Sequence, residues 1–114
     1  YIHAQDVADG LMFILNLKDY NHKGDFGNAK CPKFNLVGPE EIDNLTLAQT
    51  IAKVQKKDLV YELIDNHSSR PGHDLRYSLS PKLLKSLGWE PKIKLSKRIE
   101  EVVEWSLKNN RWLS

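Results

Sequence analysis

Residues 69–77 read Ser69-Arg70-Pro71-Gly72-His73-Asp74-Leu75-Arg76-Tyr77. Two arginines, a histidine, an aspartate and a tyrosine fall within nine residues that follow neither a helical nor a strand period. Pro71 fixes one backbone angle and Gly72 admits a positive one, so the stretch can form a rigid, sharply bent loop. Arginine's planar fork suits bidentate contact with a phosphate or a carboxylate. His73 would add a donor and Asp74 would orient an arginine. The same residues also suit a loop tied down by Arg70 and Asp74, with Tyr77 packed beneath it, because ion-pair networks resemble sites.

Regular structure is legible on both sides of the loop. Downstream, Ser80-Pro81 predicts a helix start, with a serine cap and a proline in the first turn, and Gly88 predicts its end. Ile99, Val102, Val103, Ser106 and Leu107 then form an i, i+3, i+4, i+7, i+8 stripe, predicting a helix from about 95 to 109 that stops at Asn109-Asn110. Upstream, the β-branched and aromatic content of residues 59–64 predicts a strand. Thr46-Leu47-Ala48-Gln49 has the form of a capping box, and Leu47, Ile51 and Val54 give the helix after it one buried stripe ending near Lys56-Lys57. Residues 33–37, halted by Gly38-Pro39, predict a short strand. Val7, Leu11 and Leu15 predict the buried face of an amphipathic helix over 6–16, with Asp6 at its cap or first turn.

Composition narrows the classes. The 114 residues carry 17 Lys+Arg against 15 Asp+Glu, with 40% hydrophobic content, enough for one small core. The longest apolar run, 11–15, falls far short of the roughly 18 residues of a membrane span. Asp6 and Asp9 stand where a signal peptide would be basic, so the expectation is a soluble, cytoplasmic domain without membrane contact. A single cysteine, Cys31, excludes an internal disulfide and any multi-thiolate metal site. Residues 1–69 hold 7 basic and 10 acidic groups, and residues 70–114 hold 10 and 5. That asymmetry permits an anionic partner, but no basic run or recognition motif supports nucleic acid. Trp89, Trp105 and Trp112 are expected to pack in the core and at helix ends, and His3 to be a satisfied structural residue.

Arg-Pro-Gly-His-Asp-x-Arg-Tyr, followed by Leu87-Gly88-Trp89-x-Pro91, resembles the C-terminal part of the nucleotide-sugar 4,6-dehydratases of the extended short-chain dehydrogenase/reductase family. The resemblance runs the whole chain. Tyr1-Ile2-His3-Ala4-Gln5-Asp6 is similar to the family's strand-to-helix entry, and Phe34-Asn35-Leu36-Val37-Gly38 to its Tyr-Asn-Ile-Gly-Gly. Asn44-Leu45 matches its Asn-Leu pair, and Glu104-Trp105 through Asn109 and Trp112 its closing Glu-Trp-Tyr-x-x-Asn-x-x-Trp.

The resemblance implies an α/β fold. Residues 1–114 would be a C-terminal substrate-binding region with about four helices and two or three short strands, the Rossmann core being missing from this chain. It implies a reaction in which NDP-glucose, dTDP- or UDP-linked, is oxidised at C4, loses water across C5 and C6, and regains the hydride at C6, with NAD regenerated. Carried over by position, Asn44, Ser69, Arg70, Pro71, Gly72 and His73 would bind the nucleotide-sugar. Ser69 departs from the family's usual aspartate, and Arg76 and Tyr77 would brace the loop. No catalytic, NAD-binding or metal residue is carried over. The G-x-x-G-x-x-G loop, the Tyr-x-x-x-Lys pair and the Thr-Asp-Glu trio do not occur in these residues. The chain alone is therefore expected to be inert, and the lone 34–37 strand to pair with a copy of itself or with another strand, giving a homo-oligomer, a dimer. Two other readings are a nucleotide-sugar epimerase or decarboxylase of the same family and a non-catalytic nucleotide-sugar-binding module.

Overall fold

The computed structural model describes residues 1–18, 33–64 and 76–113. They form α1 (Ala4–Leu15), α2 (Asn44–Gln55), α3 (Lys82–Ser86) and α4 (Leu95–Lys108), followed by a 3₁₀ turn, Asn110–Trp112. Two compact units divide the chain. One comprises Tyr1–Glu41 and Leu79–Leu95, and the other Ile42–Ser78 and Ser96–Ser114.

The four expected helices are present, and the expected strands are not. Among the described residues, 33–37 and 59–64 run without ladder hydrogen bonds. Composition sets a backbone preference, but a strand exists only as a member of a pair. The resemblance assigns the neighbours of 33–37 to a Rossmann sheet that these residues do not include. Residues 60–64 are exposed, with Val60 at 94%.

In the first unit, α1 is capped by His3, whose Nδ1 accepts from the Gln5 amide at 3.0 Å. This satisfies an otherwise orphan donor and accounts for His3 structurally. The predicted buried face of α1 is wrong. Leu11, Met12 and Leu15 are exposed, Leu15 at 77%, whereas Asp6 and Gly10 are buried. The reason lies at Gly10. A Cβ there would overlap Leu36 and come within 2.8 Å of the Trp89 ring. The helix therefore presents its smallest residue, not its apolar stripe, to its neighbours.

Trp89 reaches that position through the end of α3. Gly88 takes φ 99°, the Gly88 amide donates to Lys85 O at 3.1 Å, and the Trp89 amide donates to Leu84 O at 2.9 Å. This pair of bonds is the Schellman arrangement, which reverses the chain directly after the helix. Leu84, 1% exposed, is the most buried apolar residue among those described. At the start of α3, Ser80 Oγ accepts from the Lys82 amide at 3.4 Å, in place of a cap from Pro81. At Gly38 a Cβ would overlap the Tyr1 carbonyl, so main chain meets main chain there. Glu40 accepts from the Leu95 amide at 3.3 Å, a bond within this unit between residues 55 apart in the sequence.

In the second unit, Ile99 and Val103 are buried as the α4 stripe predicts, but Val102 and Leu107 are exposed. Lys97–Glu100 and Arg98–Glu101 pair at 2.7 and 2.8 Å along one side of the helix. Asn109 Nδ2 donates to Trp105 O at 2.8 Å and closes the helix where the sequence predicts. Trp105 and Trp112 are more exposed than expected, and the Arg111 guanidinium lies 5.0 Å from the Trp112 ring centroid. Among the described residues, no helix is long and apolar enough to cross a membrane.

Candidate substrate-binding site

Of the six candidate binding residues, Asn44 lies among the described residues; Ser69, Arg70, Pro71, Gly72 and His73 lie outside them. Asn44 is the first residue of α2 and is exposed. Its position depends on a cap that the sequence reading misassigns. Asp43, not Thr46, is the N-cap, in extended conformation at φ −79° and ψ 168°. Asp43 Oδ1 accepts from the Thr46 amide at 2.8 Å and Oδ2 from the Thr46 hydroxyl at 2.6 Å. The hydroxyl read as the cap is itself a donor to the true cap. Asp and Thr are both good N-cap types, and the carboxylate, with two strong acceptor oxygens, takes the role. The signal was available as Asp-x-x-Thr.

These bonds hold the Asp43 carboxyl below its ordinary value, the Thr46 hydroxyl contributing most. Asp43 is therefore an anion at neutral pH and neutralises the positive end of α2. Farther along the unit, the Asp43 carbonyl accepts from the Leu47 amide at 3.0 Å, and the Thr46 carbonyl accepts from the Thr50 hydroxyl at 2.8 Å. The first two turns of α2 thus form one hydrogen-bonded block with Asn44 at its edge. The side-chain amide of Asn44 is chemically suited to donate to a phosphate oxygen or accept from a hydroxyl.

Among the described residues, other side chains line two concavities. A cavity of about 140 Å³ in the first unit is walled by Val37, Leu84, Trp89 and Pro91, among others. An open groove of about 650 Å³ in the second runs between α2 and α4, past Lys53, Lys56 and Lys97. Lys97 is raised above its usual value by its hydrogen bond to Glu100. Neither contains Asn44. Arg76 and Tyr77, at the described edge of the loop, are exposed, and each has an interaction partner. No group of three or more His, Cys, Asp or Glu able to hold a metal occurs among the described residues.

The whole chain matches nucleotide-sugar dehydratases. It is 34% identical over 119 residues to dTDP-glucose 4,6-dehydratase 1 of Escherichia coli (strain K12), a match covering 99% of this chain and 30% of that protein. It is 34% identical over 113 residues to dTDP-glucose 4,6-dehydratase of Streptomyces niveus, covering 98% of this chain and 30% of that protein. A trifunctional UDP-glucose 4,6-dehydratase/UDP-4-keto-6-deoxy-D-glucose 3,5-epimerase/UDP-4-keto-L-rhamnose-reductase of Arabidopsis thaliana is 27% identical over 114 residues, covering 98% of this chain and 15% of that protein. No family model matches the chain, and no solved structure gives a significant match. The chain is similar along its whole length to nucleotide-sugar 4,6-dehydratases. More particularly, it corresponds to the C-terminal part of proteins named dTDP-glucose 4,6-dehydratase, and spans about 30% of the length of the two bacterial relatives.

Proposed function

We propose that residues 1–114 are the nucleotide-sugar-binding region of a 4,6-dehydratase that converts NDP-glucose, dTDP- or UDP-linked, to NDP-4-keto-6-deoxyglucose and water. The observation that carries this is the whole-length match to proteins named for that reaction. In this reading Asn44 donates to the diphosphate and Arg70 grips its charged oxygens bidentately. Pro71 and Gly72 shape the bend, His73 closes over the nucleotide, and Ser69 stands at the position next to Arg70. Each role matches the chemistry of its side chain, and the basic excess of residues 70–114 suits an anionic substrate.

NAD supplies hydride acceptance and return in such a reaction. These residues do not fit it: the glycine-rich loop and the Tyr-x-x-x-Lys pair are absent from the sequence. In this reading the cofactor and the acid-base groups belong to the remainder of a longer enzyme, and no chemical step is assigned to this chain. Its contribution is to bind and orient.

The test is Arg70→Ala in the complete enzyme. The KM for the nucleotide-sugar should rise by the equivalent of about 1–3 kcal/mol, the worth of a hydrogen bond to a charged group. An unchanged KM would show that Arg70 only braces its loop.

A further inference from the structure

We propose that Asp43 is a positioning residue for the substrate, setting the start of α2 so that Asn44 enters it as the first helical residue. The inference rests on the reading of Asn44 as a phosphate donor given above. Three residues of cap-forming type, Asp43, Asn44 and Thr46, stand at this helix start, and Asp43 takes the cap. If Thr46 were the cap, the helix would begin at Leu47, and Asn44 would lie three residues upstream of that start with its backbone angles unset. Instead Asp43 engages both donors of Thr46, at 2.8 and 2.6 Å, and its own carbonyl receives the Leu47 amide at 3.0 Å. Thr46 is thereby removed from the competition, and Asn44 is held at the helix start. Fixing the backbone that carries a binding side chain before the ligand arrives lowers the entropy lost on binding.

The arrangement has an electrostatic penalty. Asp43 is an anion one residue from a side chain read as meeting a diphosphate. Its capping geometry and its charge therefore act on binding in opposite directions, and variants can separate them. Asp43→Ala removes both. Asp43→Asn keeps a cap-forming oxygen and removes the charge.

The experiment measures nucleotide-sugar KM and kcat in the complete enzyme for the parent, D43A, D43N, N44A and the D43A/N44A double variant. D43A should raise KM about fivefold, the order that loss of an N-cap carries, with little change in kcat. D43N should have a KM equal to or below the parent's, and it keeps the test informative if D43A folds poorly. Because Asp43 acts through Asn44, the double variant should bind no worse than N44A alone. A double variant in which the two factors multiply, or a D43N variant as impaired as D43A, would overturn the positioning role alone. An N44A variant with the parental KM would overturn the reading of Asn44, and this inference with it.

Discussion

Gly10→Ala should destabilise the chain, against the ordinary expectation for a helix. In an exposed helix interior this replacement stabilises by about 1 kcal/mol, because glycine loses more backbone entropy than alanine. At Gly10 the added methyl would overlap the Leu36 side chain and approach the Trp89 ring at 2.8 and 3.1 Å. The Leu36 methyl can rotate away, but Trp89 is held by the Schellman turn at Gly88. Overpacking of this kind costs about 1–3 kcal/mol. Set against the propensity gain, the net loss is about 1 kcal/mol, roughly 4–8 °C in Tm for a domain of this size. Urea titration followed by circular dichroism reads the change. In a Leu36→Ala background the methyl has space on one side, so the penalty should shrink or reverse. A raised urea midpoint for Gly10→Ala in the unaltered chain would refute the packing of α1, Leu36 and Trp89 described above.

Three further outcomes follow from the structure. Leu84→Ala removes the most buried side chain and should cost about 2–5 kcal/mol, read as a lower thermal midpoint. Lys56 closes α2 in the left-handed region at φ 54°, so Lys56→Gly should raise stability by about 0.5–1 kcal/mol in the same assay. Asp43 has its folded pKa depressed below 3.8 by Thr46. Its contribution is therefore present above the unfolded value and is lost as pH falls through the lower folded value. Asp43→Asn should lose less stability than the parent when pH is lowered from 5 through that acid range, as acid titration of the helical signal would show.

What the sequence revealed and what it hid divide along physical lines. Helices were legible because their periodicity, caps and breakers are local: Gly88 ends α3 and Asn109 ends α4 where expected. The strands at 33–37 and 59–64 were misread because pairing is a property of two segments, and composition describes one. The buried face of α1 was misread because Leu11 and Leu15 are only apolar, whereas Gly10 is small enough to admit a tryptophan. The bond from the Leu95 amide to Glu40 joins residues 55 apart, beyond any local pattern. At the candidate site, Asn44 is singled out by the family resemblance, and its register is set by a local competition. Asp43 wins that competition with its carboxylate, a choice the capping-box pattern alone misses.

The decisive measurement gives dTDP-glucose and UDP-glucose, separately, to the complete enzyme that carries these residues and reads the product by mass spectrometry. One nucleotide-sugar should be converted to a product lighter by one water, with Arg70→Ala requiring more substrate for the same rate. A product of unchanged mass would mean epimerisation, and no conversion of either sugar would leave a binding module. Either result would contradict the assignment to a 4,6-dehydratase.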